Sequence, residues 1–268
     1  MKYPIVYDDC IKRKKFLEDI YGKNAPLISD DMNNIWYELL ERLNYIADRH
    51  NIRYSLDNGS LLGWARHQSI IPYDQDMDIV IGKDDIDKLT KLVDIYDWAH
   101  YNDNIDKNTN NIILVINRNH NKSINNRQRY NCDGKEVRYH IDNCSFNGPI
   151  ARLINIKKKK HIDFNLYNHG INIDDKINFK KCNKITKSCC YINSQYSSNL
   201  PSVCESYLLF DFSYITKKIK IYFLDNYEDH LKSFYTDTFI KPYKIWKDNK
   251  WVKTDIQDFN YKDWDSRY

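Results

Sequence analysis

The stretch LDNGSLLGWARHQSIIPYDQDMDIVIG, residues 56–82, constrains the fold and the chemistry of the chain more than any other. Three aspartates alternate in it, at Asp74, Asp76 and Asp78, and an apolar run follows directly. Side chains alternate along an extended strand, so the three carboxylates are predicted to share one face. Neighbouring carboxylates oppose each other's ionisation, and a divalent cation removes that cost. The pattern therefore predicts a site for Mg²⁺ or Mn²⁺ on a strand.

Two other interpretations of the three aspartates stand beside the metal site: a solvated turn and a calcium-binding loop. A calcium loop of the EF-hand type requires a glycine directly after the third acidic position and a glutamate six residues after that glycine. Ile79 and Asp85 stand at those two places instead, which disfavours calcium.

The residues upstream favour phosphate chemistry. Gly59 and Ser60 follow a predicted strand at 52–56 and open a predicted helix at 60–67. Such a turn presents free backbone N–H groups to a phosphate, and glycine allows close approach. Asp163 is a lone charge in the apolar run HIDFNLY. Burying it unpaired would be costly, so it is predicted to complete the acidic site.

Hydrophobic periodicity predicts one mixed α/β sheet with helices. Helices are predicted at 31–50, 60–67 and 83–99, and near 226–235 after a cap at Asp225; strands at 52–56, 77–81, 112–117, 151–156 and 161–167. Lys157–Lys160 joins the last two strands as a solvated turn or a phosphate contact. Residues 100–149 are otherwise polar and are predicted to be mostly loop.

Composition indicates a globular chain whose partners are small anions. Of the 268 residues, 42% are apolar and 29% are charged, with a net charge of +4. This charge suits a nucleotide or phosphosugar and is too small to predict nucleic-acid binding. No apolar run is long enough to span a membrane, and no signal peptide is predicted.

The cysteines provide information about the cellular compartment and about possible zinc binding. The seven cysteines do not follow the spacing of a disulfide framework, which predicts reduced thiols in the cytoplasm. A zinc site is an alternative for four of them, although their spacing is not that of a zinc knuckle: Cys182, Cys189, Cys190 and Cys204.

The motifs resemble those of the LicD/fukutin family. That family has a Gly-Ser/Thr-Leu-Leu-Gly turn, an Arg-His pair and then Ile-Pro-Trp-Asp-x-Asp-x-Asp, which residues 59–78 follow in order. HIDFNLY is similar to its later Val-Asp-Ile-Phe strand, and residues 226–242 to its closing Tyr-x-x-Leu-x-x-x-Tyr-Gly-Asp helix, with Asp237 at the aspartate. The likeness covers about residues 30–245.

The resemblance implies a polymerase-β-like nucleotidyltransferase fold in a single domain, 1–268, with a catalytic core at about 30–170 and a C-terminal elaboration at 171–268. It implies transfer of a phosphocholine- or ribitol-phosphate-like group from a CDP-linked donor to a sugar or glycan hydroxyl, with release of CMP. The transferred group, the acceptor glycan and the oligomeric state are not set by these motifs.

Each candidate residue has an expected role in this reaction. Asp76 and Asp78 hold the metal, Asp74 completes its coordination or accepts the proton, and Asp163 joins the metal or positions the hydroxyl. Donor binding is expected of a further set: Gly59, Ser60, Arg66, His67 and Tyr73.

Several of these roles have structural alternatives. Arg66 is suited to clamping phosphate oxygens, whereas His67 fits a helix cap or the core equally well. Tyr73 and Trp64 replace residues that are usual in the family and either stack on the base or pack in the core. Two further functions stay open: a nucleotidyltransferase that consumes NTP, and a non-catalytic nucleotide-binding protein.

Overall fold

The computed structural model describes residues 10–26, 28–92, 111–167, 199–200, 202–212, 215–235 and 239–254. The chain divides into two compact units. The first comprises Met1–Asn34, Leu56–Asp74 and Cys204–Tyr268, and the second comprises Ile35–Ser55 and Gln75–Val203.

The described elements alternate between helices and strands along the chain. The helices are α1 (Cys10–Tyr21), α2 (Asp30–His50), α3 (Asn58–His67), α4 (Lys83–Thr90) and α5 (Tyr227–Phe234). The strands are β1 (Tyr54–Leu56), β2 (Met77–Ile81), β3 (Ile112–Ile116), β4 (Arg129–Tyr130), β5 (Glu136–Val137), β6 (Ala151–Asn155), β7 (Lys160–Leu166), β8 (Val203–Asp211), β9 (Thr216–Leu224), β10 (Lys244–Lys247) and β11 (Lys250–Lys253).

A five-stranded mixed sheet, in the order β1-β2-β7-β6-β3, organises the second unit. Strands β2 and β7 run parallel, whereas β6 is antiparallel to both β7 and β3. The predicted class, mixed α+β with a mixed sheet flanked by helices, is confirmed. The predicted hairpin is also confirmed, with the turn at 156–159 between β6 and β7.

The sheet and α2 owe their positions to apolar burial. In α2, Leu39, Leu43 and Ile46 recur on one face and are at most 1% exposed, which is the spacing of a helix that covers a core. Ile79 and Phe164, paired across β2 and β7, are equally buried. Strands β2 and β7 are therefore held by hydrogen bonds to their neighbours in the sheet and by the burial of these side chains.

Several predicted boundaries change in the structure. Helix α3 begins at Asn58, two residues before the predicted start, and Gly59 and Ser60 lie in its first turn. The N-cap of α5 is Asn226, and the prediction of Asp225 is wrong. Helix α4 ends at Thr90, and the predicted helical residues from Val93 onward lie outside the described residues.

The polar segment before β6 is irregular but ordered over residues 111–149. A disulfide joins Cys132 and Cys144, so the prediction of reduced thiols is wrong at these two positions. Both cysteines pack with Tyr130 and Phe146 in a small apolar cluster. The local sequence pattern does not predict this disulfide, because the two cysteines are 12 residues apart and only folding brings them together.

Of the four cysteines considered for a zinc site, the structure describes only Cys204. The thiol of Cys204, at the start of β8, hydrogen-bonds the Asp225 carboxylate over 3.6 Å. Cys182, Cys189 and Cys190 lie outside the described residues. None of the helices in the described ranges combines the length and apolar composition needed to cross a membrane.

Candidate active site

The opening of α3, in the first unit, is held by a buried hydrogen bond between two side chains. Asp57 occupies the N-cap position, but its side chain does not cap the helix. Instead, Nε2 of His230 donates to Oδ1 of Asp57 over 2.8 Å, and both side chains are at most 6% exposed. The pair therefore ties the first turn of α3 to α5.

Gly59 gives the Asp74 carboxylate room beside this first turn. A Cβ atom added at Gly59 would lie 2.7 Å from Oδ2 of Asp74, well inside van der Waals contact. The helix N-terminus carries a partial positive charge that favours an anionic neighbour. A glycine is thus required here because a carboxylate approaches the backbone closely.

Arg66 and His67 lie at the other end of α3 and are bound within the protein. Arg66 donates through Nε and Nη2 to the carbonyl oxygens of Phe239 and Lys241, at 2.7 and 2.8 Å. His67 is fully buried, and its Nε2 lies 2.7 Å from the Tyr21 hydroxyl. These contacts stabilise the first unit, and the donor-binding roles of the two residues stay predictions.

Tyr73 and Trp64 pack against other aromatic rings of the first unit. The Tyr73 ring meets Trp251 edge-on at 4.9 Å between centroids. Trp64 stacks on Phe223 at 4.1 Å and donates its indole N–H to Ser206 over 3.1 Å. This is the core-packing arrangement that the sequence left open beside stacking on a base.

Acidic conditions should destabilise the native protein through His67. Burial, together with Arg13 and Arg66, lowers the pKa of His67 well below its usual value. Below pH 6.5 the unfolded chain binds a proton that the folded chain does not, so the free energy of unfolding falls as the pH falls. We expect this contribution to be complete above pH 6.5 and to decline by about 1.4 kcal/mol per pH unit below it.

The contribution of His67 is isolated by comparison with His67→Gln, which keeps a polar group near Tyr21 and does not titrate. Urea unfolding from pH 7.5 to pH 5.5 should give a shallower decline in the variant than in the wild type. Parallel declines would contradict the assignment.

The second unit contains three of the predicted residues, Asp76, Asp78 and Asp163. Asp76, His161 and Asp163 each offer one ligand atom, and these atoms lie within 4.8 Å of one another. His161 and Asp163 alternate along β7 and so share a face. Met77 pairs with Ile162, which sets the preceding residues, Asp76 and His161, side by side.

Asp78 lies beside this cluster, not within it. The structure gives its carboxylate a hydrogen bond from Nδ2 of Asn165, at 3.0 Å. Strand β2 begins at Met77, so the predicted alternation of three aspartates along one strand is wrong for Asp74 and Asp76. The cause is a turn: the N–H of Asp74 donates to the carbonyl of Ile71 over 3.0 Å, which delays the extended segment.

Asp163 is paired, contrary to the sequence argument that treated it as an uncompensated charge. Arg152, directly opposite on β6, binds both carboxylate oxygens. Its Nη1 donates to the carbonyl of Cys144 over 2.8 Å, and its guanidinium lies 4.8 Å from the Phe146 ring centroid. The disulfide-bonded loop therefore orients the arginine that orients Asp163.

Burial disfavours the charged forms of both Asp76 and His161. Burial and the nearby Asp163 raise the pKa of Asp76, although half of its side chain is exposed. Burial lowers the pKa of His161 to about 4. At neutral pH the imidazole is thus uncharged, and one of its ring nitrogens is available as a ligand.

These residues fit a divalent cation. Two carboxylates and a neutral imidazole are common metal ligands, and a cation would offset the mutual repulsion of Asp76 and Asp163. Lys160 interacts with Asp76 and donates to the side chain of Gln75. Lys157–Lys159 are exposed, as expected of a solvated turn.

Sequence reasoning missed two residues of this arrangement, and both had a signal. His161 stands two positions before Asp163 on a predicted strand, which places both on one face. Arg152 is a lone charge in the apolar run ARLINI, opposite another lone charge in the predicted hairpin.

The comparisons with known proteins each match only part of the chain. Residues 51–130 match the family described as LicD/FKTN/FKRP, nucleotidyltransferase domain. The chain is 33% identical over 100 residues to an uncharacterized protein of Rickettsia prowazekii, covering 37% of this chain and 33% of that protein. It is 43% identical over 49 residues to an uncharacterized protein of Rickettsia typhi, covering 18% and 16%.

A third relative has a named activity. The chain is 31% identical over 64 residues to the lipopolysaccharide cholinephosphotransferase LicD of Haemophilus influenzae, covering 24% of each protein. The matches thus span a third or less of the length of these curated relatives. The segment at residues 51–130, which contains the opening of α3 and Asp74, Asp76 and Asp78, is thus similar to the LicD nucleotidyltransferase domain.

Proposed function

We propose that this protein is a divalent-metal-dependent transferase that moves a phosphocholine- or ribitol-phosphate-like group from a CDP-linked donor to a sugar or glycan hydroxyl. The observation that carries the proposal is the convergence of Asp76, His161 and Asp163 in a chain similar to the LicD nucleotidyltransferase domain. The named activity of the Haemophilus influenzae relative supports the choice of a phospho-alcohol as the transferred group.

In the proposed reaction, the acceptor hydroxyl oxygen forms a bond to the distal phosphorus of the donor. The bond from that phosphorus to the bridging oxygen breaks, and CMP leaves with the electron pair. The hydroxyl proton passes to a carboxylate, for which Asp74 is the proposed base. A Mg²⁺ or Mn²⁺ ion, when bound, would offset the charge of the phosphates.

The residues of the chain have separate proposed tasks. Asp76 and Asp163 hold the cation, and Asp78, beside them, assists. Gly59 and Ser60 offer the backbone N–H groups of the first turn of α3 to a phosphate of the donor. Arg66, His67 and Tyr73 stay proposed donor contacts; in the structure they also fix the helix and the turn that carry Gly59 and Asp74.

The test is product formation from a panel of donors: CDP-choline, CDP-ribitol and CTP, each with Mg²⁺, with Mn²⁺ and with EDTA. Slow transfer of the phospho-alcohol group to water would release CMP, so the assay can detect the reaction without an acceptor. Metal-dependent release of CMP from a CDP-alcohol would support the proposal and identify the group that is transferred.

Two other outcomes would overturn it. Pyrophosphate from CTP, without CMP from any CDP-alcohol, would indicate a nucleotidyltransferase that uses NTP. Nucleotide binding in calorimetry without any turnover, when a panel of sugars is also supplied, would indicate a binding protein. The pairing of Arg152 with Asp163 favours this second candidate, because it neutralises Asp163 without a cation.

A further inference from the structure

The position of His161 carries an inference about the cation, and this inference rests on the proposed function. His161 lies on β7, which is hydrogen-bonded to β2 on one side and to β6 on the other. Its side chain is 7% exposed. A side chain buried on a central strand has little freedom to leave its place.

Neither ring nitrogen of His161 has a hydrogen bond to satisfy it among the described residues. Nδ1 is buried without a partner. Nε2 lies 3.8 Å from Oδ2 of Asp76, which is too long for a hydrogen bond. The buried Nδ1, without such a bond, loses the stabilisation that water would have given it.

The distance of 3.8 Å between these two atoms is the separation expected for two ligands of one ion. Nitrogen and oxygen ligands of Mn²⁺, Zn²⁺ and similar ions lie about 2.1 Å from the metal, so two of them stand at most about 4.2 Å apart. The ligand atoms of the whole cluster lie within 4.8 Å of one another, so a shift of a few tenths of an ångström brings all three to one ion.

We propose that His161 is a ligand of the cation, and that the site therefore prefers a first-row transition metal such as Mn²⁺ over Mg²⁺. Imidazole nitrogen suits transition metals, whereas Mg²⁺ favours oxygen ligands and retains its waters. The Asp-x-Asp pattern alone does not distinguish the two ions. The nitrogen ligand does.

The first measurement uses the wild-type protein loaded with Mn²⁺ alone. Pulsed electron paramagnetic resonance should detect coupling of the electron spin to a directly bound ¹⁴N nucleus. Bound Mn²⁺ without nitrogen coupling would overturn the inference and leave the proposed function standing. Failure of the protein to bind either Mn²⁺ or Mg²⁺ would overturn both.

The second measurement compares the wild type with His161→Gln, which keeps a polar side chain of similar length. The dissociation constant for Mn²⁺ should rise by at least about tenfold, the lower end of what loss of support to a metal ligand costs, whereas that for Mg²⁺ should change by less than about threefold. His140→Gln is the matched control, because His140 is an exposed histidine of the same unit. Equal losses for the two ions would contradict the inference, and thermal melts in EDTA establish that the variant is folded.

Discussion

Replacing Asp76 with asparagine should lower the rate of metal-dependent CMP release by more than about 100-fold, since even loss of a group that supports a metal ligand costs 10–100-fold. The fold should survive, because burial and Asp163 already disfavour the charge on Asp76. The melting temperature in EDTA should therefore be unchanged or higher. Loss of activity without loss of stability distinguishes a metal ligand from a structural carboxylate.

The matched control for this prediction is Asp84→Asn. Asp84 is an exposed carboxylate in the first turn of α4, in the same unit, and its loss should leave CMP release within about twofold of the wild type, as for surface changes generally. If Asp76→Asn kept more than a tenth of the wild-type rate with saturating metal, Asp76 would not be a ligand that the reaction needs.

Replacing Arg152 with methionine should lower the free energy of unfolding by about 3–5 kcal/mol, the cost of leaving one partner of a buried ion pair uncompensated. Arg152 and Asp163 are 9% and 10% exposed, so water cannot replace the lost guanidinium. Methionine keeps most of the volume and the contact with Phe146. Urea unfolding in EDTA measures this cost without a contribution from metal.

The control for Arg152→Met is the double variant Arg152→Met/Asp163→Leu, which removes both charges. Apolar replacement of a whole buried pair is often neutral or stabilising, so most of the lost stability should return. A double variant less stable than the single variant would show that packing, and not the uncompensated carboxylate, is responsible. A circular dichroism spectrum that matches the wild type establishes that each variant is folded before its stability is compared.

Local patterns in the sequence were sufficient for much of the fold. The apolar period of α2, the run of β2 and the paired runs around Lys157–Lys160 depend on near neighbours, and each formed as predicted. Two of the boundaries that moved are at Asp74, where a hydrogen bond to the carbonyl of Ile71 forms a turn before the strand, and at Asn226, which is the N-cap of α5. Such turns and caps depend on atoms that sequence periodicity does not describe.

The candidate site was less predictable than the fold. Some of its residues are held by contacts from distant parts of the chain, and others are of a residue type that does not by itself indicate a site. Asp76 and Asp163 were predicted from motifs, but the loop that holds Arg152 depends on the Cys132–Cys144 pairing. His161 was overlooked because a histidine on a strand is usually an ordinary core residue. Its significance comes from the distance to Asp76, which requires the register of β2 against β7.

The ion pair between Arg152 and Asp163 also has a consequence for the order of events during synthesis. The two residues are 11 positions apart within one hairpin, so they meet after closure of a short loop, which is fast. We expect Asp163, which is more buried than Asp76, to be neutralised before the sheet is assembled. The chain should therefore reach its native state in a metal-poor environment and could take up the proposed cation afterwards.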